Sequence, residues 1–481
     1  MIQINQDPSA KLYRQERIAH WNVVARNFAQ WGQRGAYYRH RLNEVFSTVI
    51  PEGQRVLEIG CCRGDLLATL KPSRGVGIDF SSEMLKLAKE AHPELTFIEA
   101  DVHELELDET FDYIILSDLL NDLWDIQAVL ENVYRWCGPN TRVIMNSYSR
   151  LWELPLMLAA RLGFAKPRLF QNWLTVEDMV HLLQLSGFET IRSWSEILLP
   201  VPFPCLDVFC NRYLVKLGIF KWMAVSNFLV SRPLKGTEAG NTTPVVSVIV
   251  PARNEAGNIE AIFERTPEMG AGTELVFVEG NSSDETYQTI EAAIKNHPER
   301  RASLYKQSGK GKGDAVRLGY DKSRGDVLMI LDADLTVPPE DLPRFYHVLV
   351  TGQAEFVNGV RLVYPMEKEA MRFANFIGNK FFSLAFSWLL GQPIKDSLCG
   401  TKVLWKQDYL RIASNRHVFG DFDPFGDFDL LFGAARLNLK IIDLPVRYRE
   451  RTYGATNIER WKHGLLLLRM VLFAANKIKF I

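Results

Sequence analysis

Cysteine is scarce in these 481 residues, with six scattered at positions 61, 62, 137, 205, 210 and 399. Thiols so few and so far apart cannot staple a small disulfide fold, and their usage matches a reducing, cytoplasmic compartment. Charge of one sign is missing too, since 56 Lys and Arg face 57 Asp and Glu for a formal net charge of -1. That balance excludes the basic footprint of a nucleic-acid-binding protein. The opening residues, MIQINQDPSAKLYRQER, lack the apolar core of a signal peptide. Long hydrophobic runs are absent as well: no uninterrupted apolar stretch reaches the roughly 18 residues of a spanning helix. Two come near. Residues 373–391 carry Asn375, Asn379 and Lys380, and residues 464–481 are cut by Arg469, Lys477 and Lys479. Both are expected to be buried helices. A final helix that mixes basic and apolar residues also suits the surface of a bilayer, which leaves peripheral contact with the inner face of the membrane open.

What is present is enough for two cores. The chain is 47% hydrophobic and 23% charged, and its length suits two domains of about 200–250 residues. Short β-branched runs alternate with amphipathic stretches in both halves, which predicts α/β domains with parallel sheets covered by helices. Strands are expected over 55–59, 75–78, 96–99, 113–116 and 141–146, then over 245–250, 274–278, 303–305 and 327–331. Residues 231–244, SRPLKGTEAGNTTP, are rich in Gly, Pro, Thr and charge and bury too little to fold. They are expected to link a domain over 1–230 to one over 245–481. The apolar, proline-punctuated stretch 198–230 takes no assignment, and no internal repeat occurs.

In the first half, Val56-Leu57-Glu58-Ile59-Gly60-Cys61-Cys62-Arg63-Gly64-Asp65 is a strand, a tight glycine turn and a helix start. Glycine lets a backbone approach a ligand closely, and helix N–H groups face it. About 20 residues on, a second strand ends in Asp79, placed to hold ribose hydroxyls. A third ends in Glu99-Ala100-Asp101 and a fourth in Ser117-Asp118. Acids at successive strand ends make the glycine turn specific. Over about residues 40–150 the pattern resembles the class I S-adenosylmethionine-dependent methyltransferases. The resemblance implies a Rossmann-like sheet, with Glu58, Gly60 and Gly64 at the methionine end of S-adenosylmethionine. It places Asp79 on the ribose, and Asp101 with Val102 beside the adenine. Cys62 stands where the family usually has glycine, and its side chain is expected to crowd the cofactor. No Asn-Pro-Pro-Tyr follows the fourth strand, so the nitrogen-methylating pattern that uses it is unsupported. Asp118, Asn121 and Asp122, with His20 and His181, are candidates to orient an acceptor or take its proton.

The second half is denser in signals. Val248-Ile249-Val250-Pro251-Ala252-Arg253-Asn254-Glu255 is a buried strand breaking into a polar turn, and Val276-Phe277-Val278-Glu279-Gly280-Asn281 is a second that ends in polar groups. Residues 309–315, GKGKGDA, are glycine-rich with two lysines and suit phosphate, without Walker spacing. Leu328-Met329-Ile330-Leu331-Asp332-Ala333-Asp334 delivers two carboxylates that would share one strand face toward a hard cation. Such a cation offsets charge on a leaving diphosphate.

Together these residues resemble the family 2 glycosyltransferases, and more closely their dolichol-phosphate mannosyltransferase-like branch, over about residues 245–460. The resemblance implies a GT-A-type α/β domain that uses Mg2+ or Mn2+ and inverts the anomeric carbon. Pro251, Ala252, Arg253, Glu255, Glu279 and Asn281 would bind the nucleotide, Lys312 would reach ribose or phosphate, and Asp332 and Asp334 would hold nucleotide and metal. Asp396, in Asp396-Ser397-Leu398-Cys399-Gly400, and Arg451 match further positions, the latter meeting phosphate. Gly280 replaces the second acid of the family's usual pair. In Gly420-Asp421-Phe422-Asp423-Pro424-Phe425-Gly426-Asp427, Asp427 is the acceptor-side choice. It would be a general base for a hydroxyl acceptor and a positioning group for an anionic lipid phosphate. The expected partners are a nucleoside-diphosphate sugar and a lipid-phosphate or glycan acceptor. Two alternatives stand beside this reading. One is methylation of an unrelated metabolite, and the other is a first half that binds partners without turnover.

Overall fold

A computed structural model describes residues 8–28, 35–163, 169–234, 243–361, 363, 373–416, 427–449, 451, 453 and 460–480. The chain divides into two compact units, residues 1–235 with 480–481, and residues 236–479.

The first unit is built on β1 (Arg55–Ile59), β2 (Arg74–Asp79), β3 (Thr96–Glu99), β4 (Phe111–Ser117), β5 (Cys137–Tyr148), β6 (Phe188–Glu196) and β7 (Ser226–Pro233). They lie side by side as β3-β2-β1-β4-β5-β7-β6. Alternation sorts their side chains onto two faces. Leu57, Ile59, Ile114, Leu116, Val143 and Met145 pack in one core cluster, and Val56, Tyr113, Ile115 and Ile144 in another. Helices must therefore cover both faces. The first five strands are parallel, but β7 runs antiparallel to both β5 and β6. The sheet is mixed, contrary to the expectation of a wholly parallel one.

β7 also corrects the linker. Ser231, Arg232 and Pro233 belong to it and are buried, so the chain leaves the sheet only after Pro233. Strand pairing satisfies the backbone of this polar segment, and Arg232 lies against Glu189 at 2.8 Å. Residues 235–242 of the expected linker lie outside the described residues.

The second unit repeats the plan with β8 (Val246–Ala252), β9 (Thr273–Glu279), β10 (Arg301–Lys306), β11 (Val327–Ile330), β12 (Phe356–Val360), β13 (Lys402–Trp405) and β14 (Ile441–Pro445). Their order is β10-β9-β8-β11-β13-β12-β14. Here too the sheet is mixed, because β13 is antiparallel to β11 and β12. In both units the chain leaves the central strand first to one side and later to the other. The crevice at the carboxyl ends of β1 and β4, and of β8 and β11, is where such sheets bind ligands.

The two apolar stretches expected as buried helices are helices only partly buried. Phe373–Leu390 buries Phe386, Leu389 and Leu390 and exposes Phe381 and Leu384; Arg460–Ala474 buries Leu467 and Met470 and exposes Leu468 and Leu472. Among the described residues no helix is long and apolar enough to cross a membrane.

Candidate functional site

In the first unit, β1 turns at Gly60, whose N–H donates to the Ile78 carbonyl at 2.8 Å. Gly60 has φ 73, and a Cβ there would sit 2.9 Å from Leu119 Cδ1. Asp79, at the end of β2, is buried and accepts from the backbone N–H of Cys62 and of Ser81, each at 2.9 Å. Burial outweighs those bonds and pushes its carboxyl up to about 6. Asp101 accepts from the His103 N–H at 2.9 Å and meets His103 Nδ1 at 2.6 Å and Arg14 Nε at 3.0 Å. Burial works against its ionisation, but His103 and Arg14 overcome it and hold the carboxyl below its usual range.

Gly60, Asp79, Asp101 and Val102 line one cavity of about 230 Å³. His103, Leu119, Asp122 and Trp124 also line it, as do Tyr13, Arg14 and Arg17 of the helix Pro8–Arg26. The Arg17 guanidinium lies 3.3 Å from the Tyr13 ring centre, and the Tyr13 ring meets Trp124 edge to face at 5.1 Å. Sequence reasoning missed this helix and His103. No local motif marks the helix, whereas His103 stands two residues beyond an acid already singled out.

Glu58 and Gly64 are not in the cavity wall. Glu58 is buried under the adjoining helix and accepts the Leu67 N–H at 3.2 Å. Burial raises its carboxyl far above the usual range, and its bond to Leu67 ties β1 to the helix Asp65–Thr69. A Cβ on Gly64 would stand 2.7 Å from Phe97 Cζ. Cys62 does not crowd the cavity either. At φ 47 its side chain packs against the cluster of Val24, Ala25 and Met84, toward the first helix. Of the acceptor candidates, only Asp122 reaches the cavity wall. Asp118 is tied to the Tyr38 hydroxyl at 3.1 Å and to Asn146 at 2.6 Å. Asn121 is fully buried against the Asn172 carbonyl, His20 packs edge-on to Trp21, and His181 is exposed on the helix Val176–Leu185.

In the second unit, β8 continues through Pro251 to Ala252, leaving Arg253 exposed at its end. Glu255 follows, buried, with its N–H on Thr286 Oγ1 at 2.9 Å. Glu279 is buried and accepts the Ser282 N–H at 2.5 Å. Asn281 takes φ 57 and donates to the Gln307 carbonyl at 3.4 Å. A Cβ at Gly280 would come within 3.2 Å of Gln307 Oε1 and 3.3 Å of Arg253 Cβ, so these side chains fill the place of the missing acid.

β11 stops at Ile330, and Asp332 and Asp334 lie in the turn beyond it. The expected shared strand face does not hold, because pleat alternation ends with the strand. Instead the two carboxylates meet different cations. Lys312 Nζ, at the start of the helix Lys312–Lys322, lies 2.5 Å from Asp332 Oδ1. Arg451 spans Asp334 Oδ2 at 2.6 Å and Glu255 Oε1 at 3.0 Å. Burial opposes ionisation of Asp332, but Lys312 prevails and lowers its pKa. For Glu255 burial prevails over Arg451, with Asp334 adding to it, and its carboxyl rises to about 7. A Cβ at Gly400 would overlap Asp332 Oδ2 and the Lys312 ammonium, so only glycine fits against this pair.

Asp396 is fully buried, and Arg361 grips both its oxygens at 2.7 and 2.9 Å. With the N–H groups of Arg361 and Leu398 also bonded to it, it anchors Arg361 rather than facing a donor. Asp427 opens the helix Asp427–Arg436, but its side chain and residues 417–426 lie outside the described residues. Among the described residues no group of three or more His, Cys, Asp or Glu gathers as a ready metal cage.

Residues 247–407 match the family model described as "Glycosyl transferase family 2", and residues 50–187 match that of a "Methyltransferase domain". The glycosyltransferase AglJ of Haloferax volcanii is 28% identical over 225 residues, which cover 46% of this chain and 69% of that protein. An undecaprenyl-phosphate 4-deoxy-4-formamido-L-arabinose transferase of Edwardsiella ictaluri is 25% identical over 47% of this chain and 65% of its own length. Other curated relatives are matched over about a third of their length (31% for the Pseudomonas aeruginosa enzyme of the same name). A solved S-adenosylmethionine-dependent methyltransferase of Thermotoga maritima aligns with 44% of this chain and 99% of its own, at 18% identity and a TM-score of 0.36.

Proposed function

We propose that this chain, which joins a methyltransferase domain to a family 2 glycosyltransferase domain, moves a hexose from a nucleoside diphosphate to a polyprenyl phosphate or glycan. The ion-pair network at the carboxyl ends of β8 and β11, Lys312–Asp332 and Asp334–Arg451–Glu255, carries this reading. An anionic donor needs cations held in place at the site, and Lys312 and Arg451 are each set against carboxylates there. Asp332 and Asp334 are the carboxylate type that suits Mg2+ or Mn2+, and Lys312 holds Asp332 in the ionised form such an ion needs. When bound, the ion would neutralise charge on the leaving diphosphate.

The chain's own residues then have separate tasks. Pro251, Ala252, Arg253, Glu279 and Asn281 border the nucleoside, and Glu255 orients Arg451. Asp396 acts at one remove, by fixing Arg361. Asp427 positions the acceptor, and with a hydroxyl acceptor it takes the proton. Transfer is a single displacement with inversion. Names of relatives support a polyprenyl-phosphate acceptor, since the Edwardsiella ictaluri protein is an undecaprenyl-phosphate sugar transferase.

In the first unit, the cavity lined by Gly60, Asp79 and Asp101 fits S-adenosylmethionine, because the two acids are acceptors for hydroxyl and amino groups. Its methyl group would go to the same product, because fusion raises the effective concentration of an intermediate. The enzyme would work in the cytoplasm at the membrane face. The test is a panel of radiolabelled nucleotide sugars with undecaprenyl phosphate or a soluble glycan, each with and without Mn2+, alongside S-adenosylmethionine calorimetry. Labelled lipid formed only with metal sustains the proposal. Donor turnover with neither acceptor removes it.

A further inference from the structure

The first unit carries an apolar surface that its fold does not use. More than half of the large apolar side chains left exposed among the described residues lie between 151 and 223. The helix Glu153–Arg161 has no buried residue. Leu151, Leu154, Leu158 and Leu162 are all more than half exposed, at the three- and four-residue spacing of one helix face. Nearby, the helix Leu206–Arg212 is inside out. Its polar Asp207 and Asn211 are buried while Leu206 and Phe209 face outward. The inversion is built in, because Asn211 accepts the N–H groups of Leu198 and Leu199 at 2.8 and 2.9 Å and donates to the Leu199 carbonyl. The two segments are tied together by Trp152 Nε1, which donates to the Met223 carbonyl at 2.9 Å. Next to Met223, Ile219 and Trp222 are 81% and 69% exposed.

We infer that this face is where the chain sits on an anionic lipid bilayer. Charge decides for lipid. Between 201 and 223 the one acid, Asp207, is buried, whereas Arg212 and Lys221 are exposed. Both basic groups flank aromatic rings, with Lys221 Nζ 5.6 Å from Trp222 and the Arg212 guanidinium 5.9 Å from Tyr213. Apolar and aromatic groups rimmed by cations are what the headgroup boundary of an anionic leaflet accommodates. The surface enters the interface without crossing it. The inference moves membrane contact away from the last helix, where the sequence had suggested it. It draws its purpose from the lipid-phosphate acceptor proposed above, but binding is measured with neither donor nor acceptor, so the two can fail separately.

The experiment is co-sedimentation of the full chain with vesicles of phosphatidylcholine alone or mixed with phosphatidylglycerol. The chain should pellet with the mixed vesicles, and the double variants Ile219→Asp/Trp222→Asp and Leu154→Asp/Leu158→Asp should each bind about tenfold or more weakly. These positions are exposed, so circular dichroism and the thermal midpoint should not change. A parallel variant of the last helix, Leu468→Asp/Leu472→Asp, should bind as the parent does. Failure of the parent to pellet overturns the inference. So does a loss confined to the last-helix variant, or a dimer in gel filtration that the surface variants split without any effect on vesicles.

Discussion

The two units deliver acids to the same side of their sheets, beyond the carboxyl ends of parallel strands, and differ in how far cations hold them. In the first, Asp79 is held by two backbone N–H groups, and Asp101 by the His103 N–H and ring together with Arg14. In the second, Asp332, Asp334 and Asp396 are each held by a full cation. Backbone donors orient a carboxylate while leaving lone pairs for hydroxyls of a ligand near neutrality. Cation partners instead assemble charge that can be redistributed when an anionic ligand arrives. Similar sheets thus offer a ligand different chemistry because of what surrounds each acid.

The largest break would come at the most buried of these pairs. Arg361→Met should strand Asp396, fully buried, and cost about 3–5 kcal/mol, while Arg361→Met/Asp396→Leu should recover most of it. Calorimetric unfolding of the full chain checks this, and the transition of the first unit should not move. Equal shifts of both transitions would mean that the pair does not belong to the second unit alone.

The next effect is on activity. Asp332→Ala with Asp334→Ala should lower sugar transfer by roughly 10²–10³-fold, the usual scale for lost electrostatic stabilisation, and leave S-adenosylmethionine affinity unchanged. Radiolabelled transfer and calorimetry on one preparation give both numbers. Intact transfer would sink the assignment of metal and diphosphate to these acids.

Acidity separates the units more gently. Burial, ahead of every other influence, raises Asp79 from 3.8 to about 6 and Glu255 from 4.5 to about 7. A carboxyl with a higher pKa when folded binds more protons in the folded state, so the stability tied to it is present below the lower value. It is lost as pH rises toward the folded value. Asp79→Asn should flatten the first unit's stability between pH 3.8 and about 6, and Glu255→Gln the second unit's between pH 4.5 and about 7. Urea titrations across that range, followed for each transition, will show whether either slope survives its substitution.

Much of this contrast was legible in residue order, and some was not. The strands before the glycine turn, before Asp79 and before Asp332 announce themselves, because apolar β-branched runs end in polar turns. β7, β12 and β13 do not. Ser231 and Arg232 lie in β7, Asn358 and Gly359 interrupt β12, and the buried Lys402 opens β13. Some of their polar groups find distant partners: Arg232 meets Glu189, and the Asn358 amide N–H groups donate to the Asp396 carbonyl and to Asp443. No local pattern reveals those. The site behaved likewise. The acids, Lys312 and Arg451 were readable as positions, but Arg14 and the pairing of each acid with its cation come from elements brought in by the fold. That Glu58 and Asp396 are struts was hidden too, since burial is a tertiary property.

The smallest effect tests a single cysteine. Cys62 holds a left-handed backbone, φ 47, where a side chain costs about 1–2 kcal/mol. Glycine there would relieve that strain but lose packing against the Val24, Ala25 and Met84 cluster and gain freedom when unfolded. These contributions oppose one another, so Cys62→Gly should shift stability by less than about 1 kcal/mol in either direction. Affinity for S-adenosylmethionine should stay within about twofold, because the side chain points toward the first helix and not into the cavity wall. Calorimetry with the ligand and urea unfolding measure the two quantities on one variant. A tenfold gain in affinity would instead show that the thiol does crowd the ligand, and that the first unit's acids are set for a cofactor its own turn keeps out.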